Sequence, residues 1–300
     1  MIKVGFCVSY DWEMLKRSLP RVYTHADKIC FSLDINRTSW NRQHYTFDEV
    51  AFATWLAQAD PDKKIDLYED NFSIDGLSPM QNDSRQRMLM AQRLGEGGWH
   101  VQVDSDEYFL DFGSFTQQLK KINPSPTGKE KPVNVCVCWV PLIRRVPNGY
   151  IYVDFKDQVP EVVPVATTLP HYERARHSGH FNVLTSHYVI HETWARSEDE
   201  LWFKMNNWGH VGDELVERNT RQSYYNLWKV LDEYNYQYLS NFHPAQAAVW
   251  PTLGFCPGKS VEEFMQNYKP PVFPLSPLRL AMRNNRNVAR IKALYAKLFS

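Results

Sequence analysis

Gly97-Gly98-Trp99-His100-Val101-Gln102-Val103-Asp104-Ser105-Asp106-Glu107-Tyr108-Phe109-Leu110 is the stretch that decides how this chain is read. Trp99, Val101 and Val103 alternate with His100 and Gln102, the period-two pattern of a strand. The strand delivers Asp104 and Asp106 to its carboxyl end, the side on which open α/β sheets bind their ligands. Two carboxylates one residue apart can grip a divalent cation, and a hard cation with oxygen ligands suits a diphosphate. The alternative is a turn or a helix cap following a strand. Context has to choose, because D-x-D arises by chance roughly once in a chain of this length. Asp60-Pro61-Asp62 is such a case: it follows a helical run on a proline turn and reads as a solvated loop.

Outward from this stretch, the first half alternates strands and helices. Strands are expected at 2–9, 28–33 and 64–68. Helices are expected over 12–19, capped by Asp11 and ended by Pro20; over 47–59, capped by Thr46; and over 84–94, ended by Gly95, Gly97 and Gly98. Repeated β-α-β order with short connections predicts an α/β fold, a mostly parallel central sheet flanked by helices. Further on, Ser114 is expected to cap a helix to Ile122, and 123–132 is a proline-broken loop. Strands follow at 134–140, 149–155, 161–167 and 186–190, the last delivering His191. Ser197-Glu-Asp-Glu200 is a capping box for a helix through Leu201, Trp202 and Met205, so Glu198, Asp199 and Glu200 read as helix-start chemistry.

Composition excludes several classes. Thirty-four Lys and Arg balance thirty-four Asp and Glu, so no global field draws the chain to nucleic acid. No basic, apolar leader is read at the N-terminus, and no apolar run has the length of a membrane span. Five scattered cysteines point to a reducing, cytoplasmic compartment. Cys136 and Cys138 sit in an apolar strand and read as core thiols rather than metal ligands.

The C-terminal part carries its own signal. Pro270, Pro271, Pro274 and Pro277 form an extended linker. From Leu278 to Ser300 there are six basic residues and no acidic one, while Val288, Ile291, Leu294, Tyr295, Leu298 and Phe299 recur at helical spacing. A basic amphipathic helix suits peripheral contact with a membrane surface through residues 278–300; a terminal helix docked on the protein's own surface is the alternative. Residues 1–240 are expected to form the main domain and 241–300 an extension with this linker and helix.

Trp99-His-Val-Gln-Val-Asp-Ser-Asp-Glu-Tyr-Phe109 resembles the signature of GT-A glycosyltransferases, in particular the family 2-like branch. His191-Glu-Thr-Trp-Ala-Arg-Ser-Glu-Asp-Glu-Leu-Trp-Phe-Lys204 resembles that branch's second signature, a strand ending in His followed by an Arg-Ser cap and a helix carrying Lys. The resemblance covers roughly residues 1–215. It implies a GT-A type sheet with a C-terminal helical appendage. It also implies a metal-dependent transferase, active in polysaccharide biosynthesis, that moves a sugar from a nucleoside-diphosphate sugar, a UDP-sugar above all, to a glycan or lipid-linked acceptor. Asp104 and Asp106 match the D-x-D positions, with Ser105 between them on the nucleotide-sugar, and His191 matches the distal metal ligand for Mn²⁺ or Mg²⁺; His210 is held in reserve.

Tyr10 and Asp34 stand at strand ends where relatives meet the base and ribose, although packing also explains Tyr10. Arg85 or Arg87 could reach the phosphates from the preceding helix, or simply line a solvated face. Inverting relatives place a base carboxylate before the distal His, and Glu173 is the candidate, in a loop made cationic by Arg174, Arg176, His177 and His180. The segment after Asp34 departs from the tighter turn of the family. Two other classes stay open: a sugar nucleotidyltransferase-like enzyme, which lacks here its usual Gly-rich loop, and a non-catalytic glycan-binding protein on a degenerate transferase fold.

Overall fold

The structure, a computed structural model, describes residues 1–209, 211, 218–243 and 249–299, with backbone alone at 218, 219, 292–294 and 296–299. The expected alternation opens the chain: β1 (Ile2–Val8), α1 (Leu15–Val22), β2 (Lys28–Asp34), α2 (Glu49–Ala59), β3 (Ile65–Asp70), α3 (Pro79–Leu94) and β4 (Trp99–Asp104). The four strands lie parallel in the order β3-β2-β1-β4. The class is α/β, with a parallel central block flanked by helices. Side chains alternate across this block. Val4, Phe6 and Val8 of β1 join Leu15, Leu19 and Phe52 in the largest apolar cluster, whereas Cys7 packs on the other face, where Met90 and Leu94 of α3 lie. Gly5 lets α3 approach closely, since a Cβ there would stand 2.8 Å from the Met90 methyl.

The remaining elements are β5 (Glu107–Phe109), α4 (Phe112–Ile122), β6 (Val133–Val146), β7 (Gly149–Asp154), β8 (Val162–Thr167), β9 (Phe181–His191), α5 (Glu198–Asn207), α6 (Arg218–Val230), β10 (Thr252–Pro257), α7 (Val261–Asn267), α8 (Pro277–Arg283) and α9 (Arg286–Phe299). Beyond β4 the sheet continues antiparallel through β8, β6, β7 and β10, while β9 runs parallel to β6 and antiparallel to β5. The first connections leave β1 towards β2 and β3, and the next returns to β4 on the other side of β1. The carboxyl ends of β1 and β4 therefore flank a switch in strand order, where α/β sheets hold ligands. The register pairs Cys7 with Asp104. A second register, Glu107 with His191, brings the end of β9 beside the D-x-D turn.

Several boundaries differ from expectation, each for a local reason. Asp48, not Thr46, caps α2, accepting from Ala51 N–H at 2.9 Å. Asp111, not Ser114, caps α4, accepting from Ser114 N–H at 2.8 Å. Asp11 caps nothing, because its carboxylate is held by Arg196. Pro20 lies inside α1, which runs on to Val22 without that residue's backbone donor. Helix α3 begins at Pro79, where Ser78 and Gln81 form a reciprocal capping box. Its first turns bury Asn82, Asp83, Gln86 and Arg87, so its inward face is polar and hides the apolar periodicity.

Within the expected extension, β10 pairs with β7, and α7 packs Val261, Phe264 and Met265 against Tyr150 and Tyr188. The following pair of helices is tied to β9. Asn284 donates to Leu184 C=O at 2.8 Å and accepts from its N–H at 2.9 Å. Arg286 donates to the carbonyls of Lys131 and Pro132 and stacks over Phe181. Among the described residues, no helix is long and apolar enough to cross a membrane.

Candidate active site

A cavity of about 710 Å³ opens at the carboxyl ends of β1, β2 and β4. Its floor is the run Cys7–Asp11 with Asp34 and Asp104–Asp106; the walls come from Arg87 of α3, the 174–177 loop, the segment before β8 and the end of α5.

Asp106 is the most heavily engaged group. Its Oδ2 accepts from Arg196 and from Lys204, each at 2.6 Å, and lies 3.6 Å from His191 Nε2. Burial raises its pKa, but Lys204, His191 and Arg196 outweigh that and hold the carboxyl well below its usual range. Both cations are delivered by the capping box that starts α5. Ser197 accepts from Glu200 N–H, and the Glu200 side chain accepts from Ser197 N–H at 2.9 Å, as the sequence predicts. Arg196 is thereby fixed just before the first turn. Lys204 stands two turns further on, and helical side chains lean towards the N-terminus, so its ammonium returns to the same carboxylate. Burial lowers the Lys204 pKa, Arg196 lowers it further, and Asp106 works against both.

Asp104 faces the other way. Its Oδ1 is 2.9 Å from Arg87 Nη1, and its Oδ2 is 3.6 Å from Arg176 Nη2. Burial opposes ionisation, yet Arg87 and Arg176 bring the carboxyl down to about 2. Arg87 also donates to Asp83 at 3.0 Å, and Arg196 reaches Asp11 at 3.0 Å. Behind the turn, Glu107 is fully buried. It accepts from Arg176 at 2.6 and 2.7 Å, from Trp139 Nε1 at 2.8 Å and from Asp104 N–H at 3.0 Å. A bidentate, indole-bridged carboxylate of this kind fixes the D-x-D turn from beneath. His191 lies against Trp139, with ring centroids 4.4 Å apart.

The structure brings together some of the expected site residues and separates others. Asp104, Ser105, Asp106, His191, Tyr10 and Asp34 all line the cavity. Asp106 and His191 meet, while Asp104 turns to arginines. Among the described residues, no three or more His, Cys, Asp or Glu side chains are grouped so that they could hold a metal ion. Tyr10 packs edge-on against Phe203 and Tyr45. Asp34 has both oxygens committed to backbone N–H groups: Oδ1 accepts from Asn36 and Thr38, Oδ2 from Phe72 and Ser73. Its carboxylate organises the loop after β2, and it borders the cavity from there. Arg85 points away, donating to Asn71 C=O, and Arg87 is the α3 arginine inside. Glu173 is exposed outside the cavity lining, 3.3 Å from His171. Glu161, which accepts from Trp250 Nε1 at 2.8 Å, lines the cavity instead. His210 lies outside the described residues. Glu107, Arg196 and Lys204 were not singled out as site residues, although the first follows the D-x-D directly and the others stand in the second signature.

No family model and no curated protein matches this sequence. Among solved structures, the chain is similar to the crystal structure of S. aureus TarS 1-349, at 11% identity and a TM-score of 0.34, over 68% of this chain and 62% of that one. The match therefore spans less than two thirds of the TarS chain.

Proposed function

We propose that this protein is a glycosyltransferase that takes a sugar from a nucleoside-diphosphate sugar. The observation that carries this reading is the cavity at the switch in strand order, with the Asp104–Ser105–Asp106 turn held rigid in its floor. About 710 Å³ is room for a nucleotide and a sugar. Groups fixed by buried ion pairs do not have to reorganise when charge moves during reaction.

Charge also bears on the cation. Asp11, Asp34, Asp83, Asp104, Asp106 and Glu161 outnumber the Lys and Arg side chains that line the cavity. A diphosphate entering beside these carboxylates would be accommodated with a cation, and Mn²⁺ or Mg²⁺ is the one we propose. Asp106 and His191 would hold it, with Asp104 beside them. Two protein ligands are sufficient, because such ions are commonly completed by substrate phosphates and water. Bound there, the ion would neutralise the departing diphosphate as a Lewis acid.

The chain's own groups do the rest. Arg87 and Arg176 fix Asp104. Arg196 and Lys204 fix Asp106, and Lys204, which lines the cavity, stands ready to share its charge with a phosphate oxygen. Trp139, Trp250 and Phe155 supply apolar faces on which a sugar ring can lie. The acceptor class we favour is a glycan or lipid-linked saccharide.

The test is calorimetry with UDP, GDP and CDP, each with Mn²⁺, Mg²⁺ or chelator, followed by a hydrolysis screen of the matching nucleotide sugars. Cation-dependent binding of one nucleotide and turnover of its sugar are expected. Failure of all three nucleotides to bind overturns the reading.

A further inference from the structure

The most unusual surface outside the cavity is the pair of helices at the C-terminus. Leu278 and Met282, four residues apart on α8, are 71% and 47% exposed; Ile291 and Tyr295, four apart on α9, are 66% and 64% exposed. Residues at that spacing share a helix face. Single apolar side chains on a surface mean little, but here each of two consecutive helices exposes a matched pair. Arg279, Arg283 and Arg290 are exposed on the same two helices, and no acidic residue occurs after Glu263. The two helices thus combine exposed apolar side chains with positive charge that no acidic residue of their own offsets, in a chain whose net charge is zero.

The pair is not a loose tail. Asn284, at the junction, satisfies both backbone groups of Leu184, and Arg286 grips the carbonyls before β6. The helices are therefore held on β9 at a set place. Leu184 and His191 pair with Cys136 and Pro141 of β6, five residues apart, so about 17 Å separates them at a strand's rise per residue.

We propose that α8 and α9 dock this protein on an anionic lipid bilayer, with Leu278, Met282, Ile291 and Tyr295 entering the headgroup boundary and Arg279, Arg283 and Arg290 meeting acidic headgroups. Charge complementarity selects this occupant. A basic amphipathic surface with no acidic member matches an anionic leaflet, whereas a protein partner's surface carries charges of both signs. This inference stands apart from the transferase reading and does not depend on it.

The experiment is co-sedimentation of the full chain with vesicles of phosphatidylcholine alone or containing one fifth phosphatidylserine, at 50 and 500 mM salt. Wild type should pellet with the anionic vesicles at low salt, and much less at high salt or with neutral vesicles. Each basic residue near an anionic leaflet is worth about a fivefold change in partitioning, so Arg279→Gln, Arg283→Gln and Arg290→Gln together should weaken binding about a hundredfold. Leu278→Ser with Ile291→Ser should weaken it independently of salt. These side chains are exposed, and matching circular dichroism melts would establish that the variants fold. Wild type remaining in the supernatant with anionic vesicles, equal pelleting without vesicles, or a triple variant that binds as wild type would each overturn the proposal.

Discussion

Lys204 and Asp106 are 98 residues apart in sequence, yet the lysine Nζ lies 2.6 Å from the carboxylate Oδ2. Arg196 reaches the same oxygen at the same distance. The two cations face one carboxylate in a place where little water remains to compensate either. Removing the carboxylate is therefore more damaging than removing one cation.

Asp106→Asn should destabilise the fold by about 3–5 kcal/mol, the usual cost of leaving a buried charge without its partner. Lys204→Met should cost less, because Arg196 still serves Asp106. Denaturant titration of both single variants and the double variant would measure this. The double variant should cost clearly less than the sum of the singles, because it removes the charge that each single leaves without its partner. Strict additivity would contradict the coupling.

Acid should act through Asp104. Its folded pKa, about 2, lies below the ordinary carboxylate value, so its stabilisation is complete above about pH 4 and is lost as the pH falls towards 2. Thermal melts of wild type and Asp104→Asn should differ most at pH 6–7 and converge near pH 2. A constant gap across that window would show that the two arginines do not set this carboxyl's pKa.

The two arginines of α3 offer a sharp contrast. Arg87→Ala should weaken nucleotide-diphosphate binding at least tenfold, since Arg87 lines the cavity and holds Asp83 and Asp104. Arg85→Ala should leave binding within about twofold, because its guanidinium donates to Asn71 outside the cavity. Calorimetry with the nucleotide identified for wild type would decide, and equal effects would contradict the assignment.

Glu173→Gln should leave sugar transfer within about twofold of wild type. Its carboxylate is exposed beside His171 and does not face the cavity. A loss of several hundredfold in kcat, with donor binding unchanged, would restore Glu173 as the base. Glu161→Gln belongs in the same assay, because Glu161 lines the cavity.

Local sequence was sufficient for the parts of this protein whose physics is local. The alternation of Trp99, Val101 and Val103 marked β4, Ser197 and Glu200 marked the start of α5, and the run of β-α-β units marked a parallel sheet; strand period, capping and connection length act within a few residues. That Asp104 and His191 end strands, with Asp106 in the turn after the first, was legible for the same reason. The polar first turns of α3 were not, because Asn82, Asp83, Gln86 and Arg87 are buried against the site, and a polar buried face looks like a solvated one in sequence. Nor did the sequence reveal β10, whose partner β7 lies about a hundred positions earlier. Partnership across the fold was decided by tertiary structure alone. Strand register set Glu107 beside His191 and Cys7 beside Asp104, the α5 cap aimed Arg196 and Lys204 at Asp106, and Arg87 rather than Arg85 faced inward. A charge in sequence has a sign but no neighbour, and ion pairing depends on distances that only the folded chain fixes.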